Sequence, residues 1–232
     1  PFPASYGDAT SAILETALVP GDMEAYHGSA TVGILAAKIK AEGPVVRDRL
    51  SFAVTARRSY VDMFLKMIPK YRDTEMNFYD VTASLRWIPR SGEMVDVSFI
   101  GGRDNMGITD LMDMRWGNLA GSVSWHVNRS DRWRFSTVAA ATNYTTTMGM
   151  DLMRMNQSLR EFIRDFSLSE KISCALSDMH SIEMGARSEF FKVQSGEFEF
   201  NGSRKRDIRS LWENAIWMGY KGVFRRINVE GG

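Results

Sequence analysis

Apolar and polar residues alternate at every second position through much of the middle of the chain. The clearest run is 79–87, where Tyr, Val, Ala, Leu and Trp at odd positions are interleaved with Asp80, Thr82, Ser84 and Arg86. The same period returns at 95–99, 119–128 and 182–187. Because successive side chains of an extended strand point to opposite faces, this period predicts β-strands with one apolar and one polar face.

Turn residues divide the pattern into about eleven predicted strands. Their approximate bounds are 24–33, 35–43, 50–60, 78–88, 93–103, 118–128, 133–147, 160–173, 180–192, 213–223, and a last strand from about 227. The predicted connections alternate between short ones, at 89–92, 129–132, 175–179 and 224–226, and long ones, at 61–77, 104–117, 148–159 and 193–212. This alternation is typical of an up-and-down meander whose tight turns all lie at one end.

Several tryptophan and tyrosine residues lie near opposite ends of the predicted strands. Trp87, Trp125 and Trp133 flank predicted short turns, whereas Tyr60, Tyr79 and Tyr144 lie nearer the long connections. Membrane barrels carry aromatic girdles at both interfaces, so the predicted fold is all-β, an antiparallel up-and-down meander that forms part of a transmembrane β-barrel. The alternative is a soluble sheet in which these aromatics form the core.

The polar face predicts a wide barrel. Its charged residues include Asp80, Arg86, Asp96, Glu183, Arg187 and Glu189. So many charges do not fit the side-chain-filled interior of a small barrel, whereas plugged transporters have about 22 strands. We therefore expect the chain to supply about half of a wall, as an open or half-closed sheet, and the whole protein to continue beyond both of its ends.

Composition narrows the function classes. The net charge of +1 is spread along the chain, so nothing predicts a nucleic-acid partner. Charged residues recur too often for a membrane-spanning helix, which needs roughly 18 to 20 consecutive apolar residues. Cys174 is the single cysteine and is interpreted as a small buried or lipid-facing side chain.

The sequence predicts no catalytic, cofactor or metal site. His27, His126 and His180 are widely dispersed and belong to no metal-binding motif. The glycines of GGRDNMG at 101–107 are interpreted as a strand end and loop rather than a phosphate cradle. An outer-membrane hydrolase remains the weakest alternative, because Ser124 and His126 with Asn143 could form a triad only if the fold brought them together.

Several segments resemble one family in order along the chain. ASYGDATSAILETA at 4–17 resembles the end of a plug domain, YHGSATVGILAAKIKAEGPV at 26–45 a first barrel hairpin, and LSFAVTARRSYVDMFLK at 50–66 the next strand. NFYDVTASLRW at 77–87, GGRDN at 101–105, WGN at 116–118 and ENAIWMGYKGVFRRINVEGG at 213–232 resemble later strands. Together they resemble the plug-to-barrel junction and first half-barrel of TonB-dependent outer-membrane receptors, especially Bacteroidetes-like ones.

The resemblance implies a domain division and a function. Residues 1–22 would be the C-terminal end of the plug, and 23–232 the N-terminal half of the barrel, in the outer membrane of a Gram-negative bacterium. The expected function is energy-coupled uptake of an iron chelate, vitamin, peptide or glycan, without enzymatic activity or a cofactor. Implied partners are outer-membrane lipid, the TonB complex through a segment upstream of Pro1, and a surface lipoprotein. An uncoupled barrel with a binding or structural role is the alternative.

Two basic features are candidate contact sites. Arg57 and Arg58 are adjacent in a strand, so one should face the lumen or plug, where pairing with a carboxylate is expected more than contact with substrate. SGEFEFNGSRKRDIRS at 195–210 is predicted to be an external loop, either solvated or in contact with substrate, lipopolysaccharide phosphates or a surface partner.

Overall fold

The computed structural model of the 232-residue chain describes most of the sequence. The described residues are 4–6, 13, 16–108, 111–152, 155–200, 203–205, 207–224 and 227–231. Statements below about what the structure contains refer to these ranges.

One antiparallel sheet contains all the described strands. They are β1 (His27–Val32), β2 (Ala36–Val46), β3 (Leu50–Ser59), β4 (Thr74–Trp87), β5 (Glu93–Ile108), β6 (Met112–Asn128), β7 (Trp133–Leu152), β8 (Met155–Ser177), β9 (His180–Phe200), β10 (Ser203–Lys205), β11 (Ile208–Phe224) and β12 (Ile227–Gly231). Each strand pairs with the next along the chain, except that β10 pairs only with β9, which also pairs with β11. In the described part of the chain β1 and β12 do not pair, so the sheet is unclosed. The predicted all-β meander is confirmed.

The prediction of long loops at 104–117, 148–159 and 193–212 is wrong, because most of the described residues in these segments lie in strands. Strand pairing extends through 104–108 and 112–117, through 148–152 and 155–159, and, with a register shift between them, through 193–194 and 197–200. The segment GGRDN at 101–105 accordingly lies within β5 rather than at a strand end. In these extensions the side-chain alternation fades, but the backbone hydrogen-bond ladder continues because it does not require an apolar face.

The segment predicted as a loop at 195–210 is also mostly strand. It contributes the end of β9, the short β10 and the start of β11. The basic run within it includes residues whose side chains lie outside the described part, so its proposed contacts stay a prediction.

The prediction of a long connection between β3 and β4 is confirmed. It contains a one-turn helix α1 (Val61–Leu65) and a 3-10 turn (Pro69–Tyr71). None of the helices in the described ranges is long and apolar enough to cross a membrane.

The register gives the sheet two chemically different faces. Directly opposed residues Leu85, Val97, Val123, Ala139 and Leu168 form one apolar row across five strands. We call the face that carries this row the outer face. The opposite face, which we call the inner face, carries the directly opposed residues Arg86, Asp96 and Ser124. Each of them is one residue away in sequence from a member of the apolar row. Because a strand alternates its side chains, this register keeps the apolar set on one side across the sheet.

The sheet also has two different rims. The connections at 47–49, 88–92, 129–132 and 178–179 lie at one end of the strands, which we call the tryptophan rim. Those at 33–35 and 60–73 lie at the other end, the far rim. In the turn at 88–92, Gly92 has φ +81° and a Cβ there would meet Asn128 O at 2.8 Å, so both conformation and space favour glycine.

Trp87, Trp125 and Trp133 lie on the outer face near the tryptophan rim. Their side chains are 50%, 47% and 43% exposed, so they form no core. Fully packed apolar side chains are few among the described residues, with Ala53 and Phe162 the ones that are buried. A broad exposed apolar face marks a surface that meets another molecule or a membrane, and the interpretation of these aromatics as a soluble core is therefore wrong.

Candidate functional site on the inner face

Ion pairs between neighbouring strands neutralise charges on the inner face. Arg57 Nε lies 2.7 Å from Asp80 Oδ2, and the two residues are directly opposite on β3 and β4. One strand further, Arg86 donates two hydrogen bonds to Asp96, at 2.6 and 2.9 Å. Direct cross-strand placement brings each guanidinium to its carboxylate without distorting the sheet.

Two more inner-face pairs form within single strands. Lys40 Nζ donates to Glu42 Oε1 at 2.7 Å in β2, and Arg187 lies 2.6 Å from Glu189 Oε2 in β9. Both pairs join residues i and i+2, which share a face of a strand. The Lys40 and Glu42 pair was not singled out from the sequence, although the alternation of 36–42 contains the signal.

The described N-terminal residues lie against this charged face. Ser84 Oγ donates to the backbone oxygen of Val19 at 3.2 Å. A Cβ at Gly21 would overlap the backbone oxygen of Phe52, so glycine permits the close approach of this segment to β3. A cavity of about 610 Å³ remains between 16–20 and the inner face. Small side chains line its sheet side, including Ser98, Ser122, Ser124 and Ala140.

The first described residues lie against the opposite end of the same face. The 3-10 turn Ala4–Tyr6 borders a cavity of about 730 Å³ whose other wall includes Arg187, Glu189, Glu213 and Trp217. The segment before β1 therefore contacts inner-face residues of both early and late strands. The inner face is thus a charged, partly covered surface with water-sized space beside the covering segment.

The structure separates the two adjacent arginines. Arg57 lies on the inner face, where its guanidinium pairs with Asp80 and also stacks 4.8 Å from the ring centre of Phe78. Arg58 is on the outer face, opposite Tyr79. The expected pairing of one arginine with a carboxylate is present, whereas a role of either arginine in plug or substrate contact stays a prediction.

The hydrolase triad is not assembled. Ser124 and His126 line the cavity on the inner face, whereas Asn143 lines a groove on the outer face and accepts a hydrogen bond from Arg164 Nε at 3.0 Å. The side chains are one strand apart but on opposite sides of the sheet. In the described ranges no group of three or more His, Cys, Asp or Glu residues could hold a metal ion.

Comparison with known proteins gives a structural likeness. No family model matches the chain, and no curated protein matches it. The solved structure of the ferric yersiniabactin uptake receptor FyuA from Yersinia pestis is similar with a TM-score of 0.50 and 12% identity, over 88% of this chain and 37% of that chain. The copper transporter OprC gives a TM-score of 0.36 and 9% identity, over 89% of this chain and 44% of that one.

This chain therefore spans less than half the length of either solved protein. At 12% identity the likeness to the uptake receptor concerns the fold alone. The chain thus has an unclosed all-β antiparallel meander with a charged inner face, and this fold is similar to that of part of the uptake receptor.

Proposed function

We propose that the chain is part of a TonB-dependent outer-membrane receptor that takes up a small nutrient in a Gram-negative bacterium. The observation that carries the proposal is the opposite chemistry of the two faces. An exposed apolar outer face with tryptophans near one rim suits lipid, and a face of paired charges covered by an N-terminal segment suits a plugged lumen.

Strand length supports membrane spanning. Most of the long strands exceed the roughly 9 to 11 residues that a tilted strand needs to cross the hydrocarbon. β8, for example, has 23 residues and β7 has 20. The excess lies at the far rim, which we assign to the outside of the cell because barrels carry their longer connections there.

In this proposal residues 1–22 are the end of a plug and 23–232 the first half of the barrel. The contacts of Val19 and Gly21 with β3 and β4 support the first part. The paired charges lie on the inner face, which the plug partly covers, and substrate enters between the plug and external segments. TonB supplies the energy for uptake, and no residue of this chain performs covalent chemistry.

The cargo is a small nutrient of the iron chelate, vitamin, peptide or glycan class, and a surface lipoprotein is a further partner in this proposal. The assignment to Bacteroidetes-like receptors rests on the Ala-Arg-Arg-Ser-Tyr motif at 56–60. An uncoupled barrel would share the two faces but would need no TonB.

The test is to express the complete gene product and to separate inner and outer membranes. We expect the protein in the outer membrane, with migration on a gel that changes on heating, as for folded barrels. Uptake or growth on the transported nutrient should then stop when TonB is deleted. A folded, water-soluble product would overturn the membrane assignment, and uptake that is independent of TonB would favour the uncoupled barrel.

A further inference from the structure

The outer face carries a groove whose chemistry changes from apolar to cationic along the strands. It has a volume of about 500 Å³ and lies across β4 to β8. Its lining toward the middle of the strands includes Val81, Phe99 and Leu119, and its lining toward the far rim includes Arg103, Arg115 and Arg160. The groove therefore has an aliphatic and aromatic end and a basic end.

The register explains why the three arginines meet. Arg115 of β6 is opposite Thr147 of β7, which is opposite Arg160 of β8, so these three side chains form one row. Arg103 belongs to the next row, where it is opposite Gly117, which is opposite Thr145. Spacings of about 5 Å between strands place these basic groups within reach of one anionic headgroup.

Two glycines leave space for the groove. Gly101 and Gly117 occupy outer-face positions where neighbouring strands carry larger side chains. A Cβ at Gly117 would lie 3.2 Å from Gly102 O, and one at Gly101 would lie 3.3 Å from the Phe99 ring. The absence of side chains therefore opens a depression between Arg103, Leu119 and Thr145.

The basic groups of the groove are accessible. Arg103, Arg115 and Arg160 are all exposed. Arg115 Nε is paired with Asp113 Oδ1 at 3.1 Å, with both side chains nearly half exposed, so a phosphate group can compete for it. Arg103 and Arg160 make no ion pair with any other described residue.

The height of the groove in the membrane fits a headgroup. Trp125 and Arg115 are ten residues apart on β6, on the same face. That is about 33 Å of strand, and at a tilt of about 40° it corresponds to roughly 25 Å, the thickness of the apolar band of a membrane barrel. With Trp87, Trp125 and Trp133 at one interface, the arginines lie at the other, which the proposed orientation makes the outer leaflet.

We infer that this groove binds a phosphate-bearing glycolipid of the outer leaflet, with its phosphates on the three arginines and an acyl chain along Val81, Phe99 and Leu119. This inference rests on the proposed membrane location. Arginine forms bidentate hydrogen bonds with phosphate, and Thr145 and Thr147 add hydroxyl donors. Charge complementarity and an apolar floor together select an amphipathic lipid over a soluble anion.

The test uses the complete barrel, purified in a neutral detergent, with lipid A as the probe and native mass spectrometry as the measurement. The variant combines Arg103→Gln, Arg115→Gln and Arg160→Gln. Its matched control combines Arg90→Gln, Arg129→Gln and Arg132→Gln, which removes three exposed arginines at the tryptophan rim. We expect the groove variant to bind lipid A about ten-fold or more weakly, and the control variant to bind it like the unmodified protein.

Two further measurements decide the source of the anion. Lipid A without phosphates should bind weakly to every variant, and inorganic phosphate should not displace lipid A at comparable concentrations. Equal binding by the groove and control variants, or equal binding of lipid A with and without phosphates, would overturn the inference. Displacement by inorganic phosphate would also overturn it, because the groove would then be a site for a soluble anion.

This experiment is independent of the test of the proposed function. Membrane fractionation tests whether the protein is in the outer membrane, whereas lipid binding in detergent tests only whether the groove binds lipid. A protein that fractionates with the outer membrane and binds lipid A equally in both variants would refute only the inference.

Discussion

Arg86 donates two hydrogen bonds to Asp96 across β4 and β5, from Nε at 2.6 Å and from Nη2 at 2.9 Å. The two side chains retain 30% and 21% exposure, and both project from the inner face. This parallel arrangement is the strongest geometry available to an arginine and a carboxylate. Removing one partner would leave the other charge partly desolvated.

Replacing Arg86 should destabilise the barrel measurably. We expect Arg86→Gln to lower the free energy of unfolding by about 1 to 3 kcal/mol, since a charged hydrogen-bond partner is lost. Urea unfolding in phosphatidylcholine vesicles, followed by tryptophan fluorescence, provides the measurement. A double-mutant cycle with Asp96→Asn should give a coupling energy of the same sign.

The control for this prediction is Arg209→Gln. Arg209 pairs with Asp207 at 3.1 Å, but the side chains are 83% and 53% exposed. Such a pair contributes about 0 to 1 kcal/mol. Equal losses in the two variants would contradict the assigned role of the inner-face pair.

Gly21 should be required for the N-terminal segment to lie on the inner face. In Gly21→Ala, the new methyl group would overlap the backbone of Phe52, which cannot rotate away as a side chain could. We expect the segment at 16–20 to detach and its cleavage by a protease to become about 5- to 30-fold faster, corresponding to about 1 to 2 kcal/mol.

Gly28→Ala is the matched control for this substitution. A Cβ at Gly28 would lie 3.7 Å from Lys40 O, an ordinary contact distance. Protease sensitivity of 16–20 should therefore remain unchanged. If Gly21→Ala behaves like Gly28→Ala, the segment does not depend on close packing against β3.

The assignment of faces predicts which tryptophans meet lipid. Trp125 lies on the outer face, whereas Trp217 lies on the inner face beside Gly185. Variants that retain a single tryptophan should therefore differ in lipid containing brominated acyl chains. Trp125 fluorescence should be quenched several-fold more strongly than Trp217 fluorescence, because interfacial aromatics lie at headgroup level.

Aqueous iodide provides the converse measurement. It should quench Trp217 in a water-containing lumen more than it quenches Trp125 in the membrane interface. The reverse order with both quenchers would mean that the two faces are assigned the wrong way round.

Asp22 should make the turn before β1 sensitive to acid. The backbone N–H groups of Glu24 and Ala25 donate to Asp22 Oδ1 at 2.7 and 3.0 Å, and His27 Nε2 lies 3.0 Å from Asp22 Oδ2. These hydrogen bonds, led by that from Glu24, hold the pKa of Asp22 below its usual value of 3.8.

A carboxyl with a lower pKa in the folded state stabilises that state above its unfolded-state pKa, and this contribution is lost as the pH falls through the folded-state pKa. The stabilisation of the turn at 22–27 by Asp22, relative to the Asp22→Asn variant, should therefore be present while this carboxyl is ionised. It should decline as the pH falls through 3.8 and below. Hydrogen exchange of the Glu24 and Ala25 amides measures it, and a pH-independent difference would contradict the prediction.

Sequence periodicity was sufficient where a strand has two different faces. The alternation at 79–87 predicted β4, its apolar outer row and the inner placement of Asp80 and Arg86. It also located the tryptophans beside the short turns. The alternation of side chains between two faces follows directly from the geometry of an extended backbone. These features could therefore be predicted without knowledge of the neighbouring strands.

The strand ends near the far rim were not predictable in the same way. From 104 to 117 polar and apolar residues no longer alternate cleanly, yet Asn105 and Arg115 are opposed in a continuing ladder. Backbone pairing there is decided by the neighbouring strands and not by local side-chain pattern. Local sequence therefore predicted loops where the tertiary structure has strands.

The sequence by itself determined the strand-rich class, the two-faced strands and the rim near Trp87, Trp125 and Trp133, because these depend on spacing along one chain. Only the tertiary structure decided which residues from different strands meet. It paired Arg57 with Asp80, set Asn143 on the other side of the sheet from His126, and gathered Arg103, Arg115 and Arg160 around one groove. Those relations depend on the register between strands, which is set by the cooperative pairing of the whole sheet.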